Sequence, residues 1–154
     1  MTNHVKEIVA IVTLGILGGG GLLLSVISNP ASAQTTNERG HDPTVLRAGR
    51  TLFRKNCAVC HGWDAEGITP DWQVRNEDGK LPPPPLNGTA HAWHHPTSVL
   101  TQIVKDGTAK LGGTMPAWRD ELSDADIMSI LQWITSLWPD ELYEAWLARD
   151  AQNN

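Results

Sequence analysis

Cys57-Ala58-Val59-Cys60-His61 is the stretch on which the reading of this chain turns. It holds the only two cysteines in 154 residues. They are too few for a disulfide scaffold and too close for an ordinary structural bridge, so their role is chemical. Near a helix end, three residues of separation put both thiols on one side. Each can then add across one vinyl group of a porphyrin, with the adjacent imidazole under the iron. C-x-x-C-H therefore reads as a site of covalent c-type haem attachment. Two other chemistries use similar residues. A redox disulfide normally opens a helix within a βαβ pattern, and no strand pattern of useful length occurs in this sequence. A zinc site would want a second Cys or His pair at matching spacing.

The flanking sequence predicts helices joined by one long irregular belt. Asp42-Pro43 reads as an N-cap with proline at the first helical position, and Val45, Leu46, Gly49, Leu52, Phe53 and Cys57 repeat at helical spacing, giving a helix over about 43–58. From Gly62 to His95 no period survives, and Pro70 with Pro82-Pro83-Pro84-Pro85 forbids regular structure over most of it. A compact domain rarely keeps so long a loop unless something other than protein fills the space beneath it. Pro96 opens a second helix, with Val99, Leu100, Ile103 and Val104 on its apolar side and Gly107 at its end. Ser123-Asp124-Ala125-Asp126 starts a third as a capping-box variant, and Ile127, Ile130, Leu131, Ile134 and Leu137 form its buried stripe until Pro139. A last amphipathic segment, about 139–149, carries Leu142, Trp146 and Leu147.

Composition agrees with one loop-rich globular domain: 40% hydrophobic and 19% charged residues, with Gly 14 and Pro 10. A formal charge of −5 speaks against nucleic acid as a partner. Arg47, Arg50, Arg54 and Lys55 make the first helix basic, whereas residues 120–150 are rich in acids. If those helices cross, the opposite fields favour the contact, though exposed ion pairs contribute little. At the N-terminus, Ile8 to Ile27 is uncharged and apolar, and Ala31-Ser32-Ala33 follows Pro30 as a signal-peptidase pattern. Residues 1–33 read as a secretory signal, with an uncleaved transmembrane anchor through residues 8–27 as the alternative. Lys6 favours a cytoplasmic N-terminus, so residues 34–154 lie outside the cytoplasm, in the periplasm or on that face of the membrane, under either reading.

From Val45 to Pro139 the sequence resembles a class I c-type cytochrome of the bacterial monohaem kind. Gly49-x-x-x-Phe53-x-x-x-Cys57-x-x-Cys60-His61-Gly62 resembles that family's first helix and haem attachment. Pro84-Pro85-Leu86-Asn87-Gly88 resembles its P-x-L-x-G turn, Met115-Pro116-Ala117-Trp118 its distal ligand loop, and Leu131-Gln132-Trp133-Ile134-Thr135-Ser136-Leu137 its C-terminal helix. The departures are the insertion Trp63–Leu81, the cluster His91-Ala92-Trp93-His94-His95, and the tail after Pro139. The resemblance implies an all-α cytochrome c fold, with three to five helices and long loops wrapped around one covalent haem.

It also implies a site. Cys57 and Cys60 would carry the haem thioethers, and His61 and Met115 would ligate the iron. Met115 stands in the Gly-rich loop Gly112-Gly113-Thr114-Met115-Pro116, whereas Met1 lies in the signal and Met128 on a helix. His91, His94 and His95 are the rival distal ligands; otherwise one of them would bond a propionate or cap the helix after Pro96. His61 needs an acceptor on its second nitrogen. A proline carbonyl suits because its residue has no competing N–H, and the P-x-L pattern selects Pro84, with Leu86 against the ring. Trp118 would lie near the methionine, and Trp133 between helices. The implied function is one-electron transfer between redox proteins. Alternatives are an electron-transfer subunit of a larger dehydrogenase or oxidase, docked through Trp146 and the tail, or a haem peroxidase, which needs an open iron position.

Overall fold

The structure is a computed structural model, and residues 39–152 are the ones it describes. The signal or anchor reading of residues 1–33, with its span 8–27, lies outside the described residues. The fold is all-α: α1 Pro43–Asn56, α2 Ala58–His61, α3 Thr97–Asp106, α4 Asp124–Ser136 and α5 Asp140–Asp150. Short 3-10 turns sit at Ala92–His94 and Ala109–Leu111, and no strand occurs among the described residues.

Capping chemistry sets several of the helix ends. The Asp42 carboxylate accepts from Thr44 N at 2.7 Å, and Pro43 takes the first helical position of α1. Instead of running to 58, α1 ends at Asn56. Cys57 departs from helical geometry at φ −115°, and the chain restarts as the single turn α2. A capping box opens α4: Ser123 Oγ accepts from Asp126 N, and Asp126 Oδ2 accepts from Ser123 N at 3.1 Å. Gly107 ends α3 at φ +68°, a conformation that suits glycine. At the far end of α4, the Arg39 guanidinium donates to Thr135 O at 3.1 Å and Trp138 O at 2.7 Å, setting a cation on carbonyls at the negative end of the helix.

The core is the crossing of α1 on α4. Gly49 brings the α1 backbone against Ser129, and one turn later the Phe53 and Trp133 rings lie 4.7 Å apart. Phe53, Ile127, Ile130 and Trp138 are fully buried, each side chain contributing roughly 1.5–3 kcal/mol by leaving water. The predicted stripe of α4 is present at Ile127, Ile130, Leu131 and Ile134. The basic side of α1 does not meet acids of α4; Arg54 pairs instead with Asp64 at 2.7 Å, just past the attachment motif.

The α5 face differs from the expected one. Tyr143, Trp146 and Asp150 are buried, whereas Leu147 is 48% exposed and Leu142 half-buried. The reason lies in what α5 packs against. Tyr143 and Trp146 join the buried core, Trp146 edge-on to Trp138 at 5.4 Å, and hydrogen-bonding groups beside them reach the backbone of residues 93–97. Trp146 Nε1 donates to His95 O at 2.9 Å, Arg149 to Trp93 O at 3.0 Å, and Asp150 accepts from Thr97 N at 2.6 Å and Thr97 Oγ1 at 2.7 Å. Trp146 is thus an internal anchor, which corrects its expected place on a docking surface. Asp150 also supplies the cap of α3 that was expected from a histidine; Pro96, at the N-cap position, has no side chain able to accept.

Candidate haem site

One helical turn presents the three residues of the motif. Both Cys60 N (3.1 Å) and His61 N (3.0 Å) donate to Cys57 O, which curls the segment. Both thiols are free; Cys57 is half-buried and Cys60 exposed. Burial, with the neighbouring Cys60 adding to it, pushes the Cys57 thiol up to about 11. A thiol held protonated at neutral pH is the opposite of the depressed one that a disulfide exchanger needs, which counts against that reading.

His61 is buried, and its Nδ1 lies 3.0 Å from Pro84 O. A carbonyl can only accept, so Nδ1 carries the proton and Nε2 has the free lone pair. Burial holds the ring below the usual histidine range, with the bond to Pro84 opposing that shift. The neutral imidazole is the form a metal takes.

Glycines and backbone bonds knit the motif to the proline run. A side chain at Gly62 would collide with the Glu66 carboxyl group and with Gly67 O, so the chain can turn sharply after His61. Gly67 N then donates back to His61 O at 2.7 Å. Pro85 packs on Gly67, where an added Cβ would meet its ring at 3.2 Å. Ala65 O accepts from Leu86 N at 2.7 Å and Asn87 N at 3.1 Å, and Trp138 Nε1 donates to Leu86 O at 2.7 Å. Leu86 packs against the core, as do Cys57, Trp118, Leu100 and Val104.

Met115 is pinned from both sides of its peptide. Its N–H donates to Thr108 Oγ1 at 3.0 Å, and its carbonyl accepts from Thr108 N at 2.9 Å. A Cβ at Gly107 would stand 2.5 Å from Met115 O, so only glycine lets this loop lie along the end of α3. Trp118 N then bonds Val104 O at 3.1 Å, and Lys80 from the insertion donates to Gly112 O at 2.8 Å. Thr108, Ala65, Trp138 and Asp150 all shape the region and were absent from the sequence reading. Backbone tethers of this kind leave no period or motif to find.

The histidine cluster forms aromatic pairs. His91 stacks on Trp72 at 5.5 Å, and His94 on Trp93 at 3.8 Å. Burial and then its neighbours His95 and His94 lower the His91 ring below the usual range. No group of three His, Cys, Asp or Glu side chains able to hold a metal ion occurs among the described residues.

The donors fit a covalently held haem iron: two free thiols on one turn, a buried neutral imidazole with Nδ1 engaged, and a thioether on a fixed loop. Comparison with known proteins agrees. The model of the family described as "Cytochrome C oxidase, cbb3-type, subunit III" matches residues 44–134. The chain belongs to this family of c-type cytochrome domains. The cytochrome is 34% identical to the cbb3-type cytochrome c oxidase subunit CcoP of Azospirillum brasilense over 101 residues, 66% of this chain and 31% of that protein. It is 32% identical over 109 residues to lupanine 17-hydroxylase [cytochrome c] of Pseudomonas sp, covering 70% of this chain and 12% of that one. Against cytochrome c6 of Bryopsis maxima the identity is 29% over 89 residues, 58% of this chain and 88% of the relative. The chain thus spans about a third of the length of the CcoP relatives it matches. No solved structure gives a significant match. The cytochrome carries haem c. Trp138 and α5 lie beyond the matched segment.

Proposed function

We propose that Cys57 and Cys60 hold the haem through thioethers, that His61 and Met115 ligate its iron, and that the domain shuttles single electrons between protein partners outside the cytoplasm. The observation that carries this reading is the His61 ring, buried, with Nδ1 3.0 Å from Pro84 O. Bound haem iron supplies the one-electron chemistry. His61 offers Nε2 at a set angle because Pro84 O holds the other nitrogen, which also makes the ring a stronger donor. Thr108 fixes the Met115 backbone, from which the thioether would reach the iron. With His61 and Met115 both holding the iron, small substrates would find no site on it, and the domain would work as a carrier, not a peroxidase. Pro84, Leu86 and Trp118 serve as packing and orienting groups around the ring.

A second reading, as the electron-transfer part of a larger oxidase or dehydrogenase, has its own support: the matched relatives include an oxidase subunit and a hydroxylase several times longer than the match. The N-terminal segment suits either reading, as a cleaved signal or as an anchor that keeps the domain on the membrane. Among the described residues no helix is long and apolar enough to cross a bilayer; the anchor reading rests on the apolar run 8–27.

Acid-acetone extraction of the purified protein tests the attachment; colour that leaves with the solvent would overturn it. The oxidised spectrum tests the distal ligand, since a thioether on iron adds a weak band at its red edge. Absence of that band would turn attention to His91, His94 and His95.

A further inference from the structure

The proline run poses a mechanical problem that its own backbone cannot solve. Pro82, Pro83, Pro84 and Pro85 have no N–H, so none of these residues can be tied down by donating a hydrogen bond. Leu86 is the first residue past the run with a donor, and both its peptide groups are engaged: its N–H on Ala65 O at 2.7 Å and its carbonyl by Trp138 Nε1 at 2.7 Å. Two residues upstream is the Pro84 carbonyl, which faces His61 Nδ1 at 3.0 Å.

We propose that Trp138 is a positioning residue for the axial histidine: its indole N–H fixes Leu86, and through Leu86 the Pro84 carbonyl that orients His61. The inference rests on the assignment of His61 as an iron ligand. Trp138 is suited to the task because it is itself immobile. Its side chain is 1% exposed, its N–H bonds Thr135 O at 3.3 Å, and its carbonyl is held by Arg39 at 2.7 Å. The turn also leans on it directly: Gly88, at φ +98°, comes so close that an added Cβ would meet Trp138 Cδ1 at 3.3 Å and Pro139 Cδ at 3.0 Å. Releasing the Leu86 carbonyl lets the Pro84 carbonyl swing away. The His61 Nδ1–H bond then weakens, the ring donates less to the metal, and the reduced state gains.

The test compares Trp138→Phe with Trp146→Phe in the haem-loaded protein. Each variant deletes a buried indole N–H bonded to a backbone carbonyl, and the two rings pack edge to face 5.4 Å apart, so both lose stability. Only Trp138→Phe should move the reduction potential, to more positive values, and speed hydrogen exchange of His61 Nδ1–H in the reduced protein by about five- to tenfold, the effect of losing roughly one hydrogen bond. Equal effects of the two variants on potential and exchange, or none from either, would overturn the proposal. If Trp138→Phe does not fold, replacing Trp138 by β-(3-benzothienyl)alanine keeps the ring shape while putting sulfur in place of N–H, and the same outcomes decide. Proton spectra of the unmodified reduced protein are read first. His61 ring signals without the large ring-current shift of an axial ligand would overturn the site assignment and the proposal together, whereas normal shifts with unmoved exchange in the variant would overturn only the role of Trp138.

Discussion

Adding one methyl group at Gly49 should cost this protein stability, against the trend of helix propensity. Gly49 is buried in the middle of α1, where alanine would ordinarily gain about 1 kcal/mol. A Cβ there would overlap Ser129 O, stand 2.5 Å from Ser129 C and 3.0 Å from Trp133 Cβ. Carbon contacts need about 3.5–4.0 Å, and the obstruction is helix backbone, which cannot turn aside, so α1 and α4 must part by on the order of 1 Å. A gap of that size forfeits roughly a quarter to a half of the dispersion attraction across it. It opens beside Phe53, 0% exposed, and Trp133, 5% exposed, side chains worth about 1.5–3 kcal/mol each. Lost packing and residual overlap together outweigh the propensity gain, for a net loss of about 2 kcal/mol, or roughly 10 °C in Tm for a domain of this size. Thermal unfolding of the haem-loaded protein, followed by tryptophan fluorescence, measures it, with Ala48→Gly on the exposed side of α1 calibrating the propensity contribution. A Gly49→Ala protein as stable as its parent, or about 1 kcal/mol more stable, would refute the close crossing of α1 and α4.

Met115→Ala should open one iron position, lower the reduction potential and create weak peroxidase activity, read from the spectrum, electrochemistry and peroxide turnover; an unchanged spectrum and potential would place the ligand elsewhere. Ser123→Ala should lower stability by about 1 kcal/mol through loss of the α4 cap. Hydrogen bonds from Ser123 hold the Asp126 carboxyl below its ordinary value near 3.8, so the part of the box that uses this carboxylate is present above this pH and fades as pH falls through the folded value, and the gap between parent and variant should narrow in acid. Asp150→Ala strips both acceptors from Thr97 and should cost about 1–3 kcal/mol, with faster proteolysis within 91–97 as its local signature.

Features that depend on near neighbours in the chain were legible. The Asp42-Pro43 cap, the Ser123–Asp126 box, the period of α4 and the C-x-x-C-H turn each involve residues within a few positions, and local geometry follows from them. The P-x-L pattern picked out Pro84, whose carbonyl does face His61. The illegible contacts tie distant segments through polar groups. Asp150 caps a helix 53 residues upstream, Trp138 holds a carbonyl 52 residues upstream, and Arg39 reaches Trp138 across 99 positions. Nothing about an aspartate near a chain's end distinguishes a remote cap from a solvated charge. The face of α5 was legible only in part for the same reason: hydrophobicity pointed to Leu142, Trp146 and Leu147, of which Trp146 is buried, whereas the bonds of Arg149 and Asp150 to the backbone at 93 and 97 leave no sign in the sequence.

Two departures from the family pattern, the His91–His95 cluster and the tail after Pro139, are therefore one device. The cluster has little regular backbone pairing of its own beyond one 3-10 turn, and irregular backbone that is partly buried must find donors and acceptors elsewhere. Three residues near the end of α5 supply them, to Trp93, His95 and Thr97 in turn. Since α5 begins two residues after Trp138, the segment 138–150 grips the chain at Leu86 and again at 93–97. The stretch bearing the Pro84 acceptor is held by Trp138, whereas the bonds from α5 fall on residues 93–97, and Tyr143 and Trp146 of α5 join the buried cluster of the α1–α4 crossing. A tail added to such a domain thus ties down the irregular loop at 93–97 without changing the helices that define the fold.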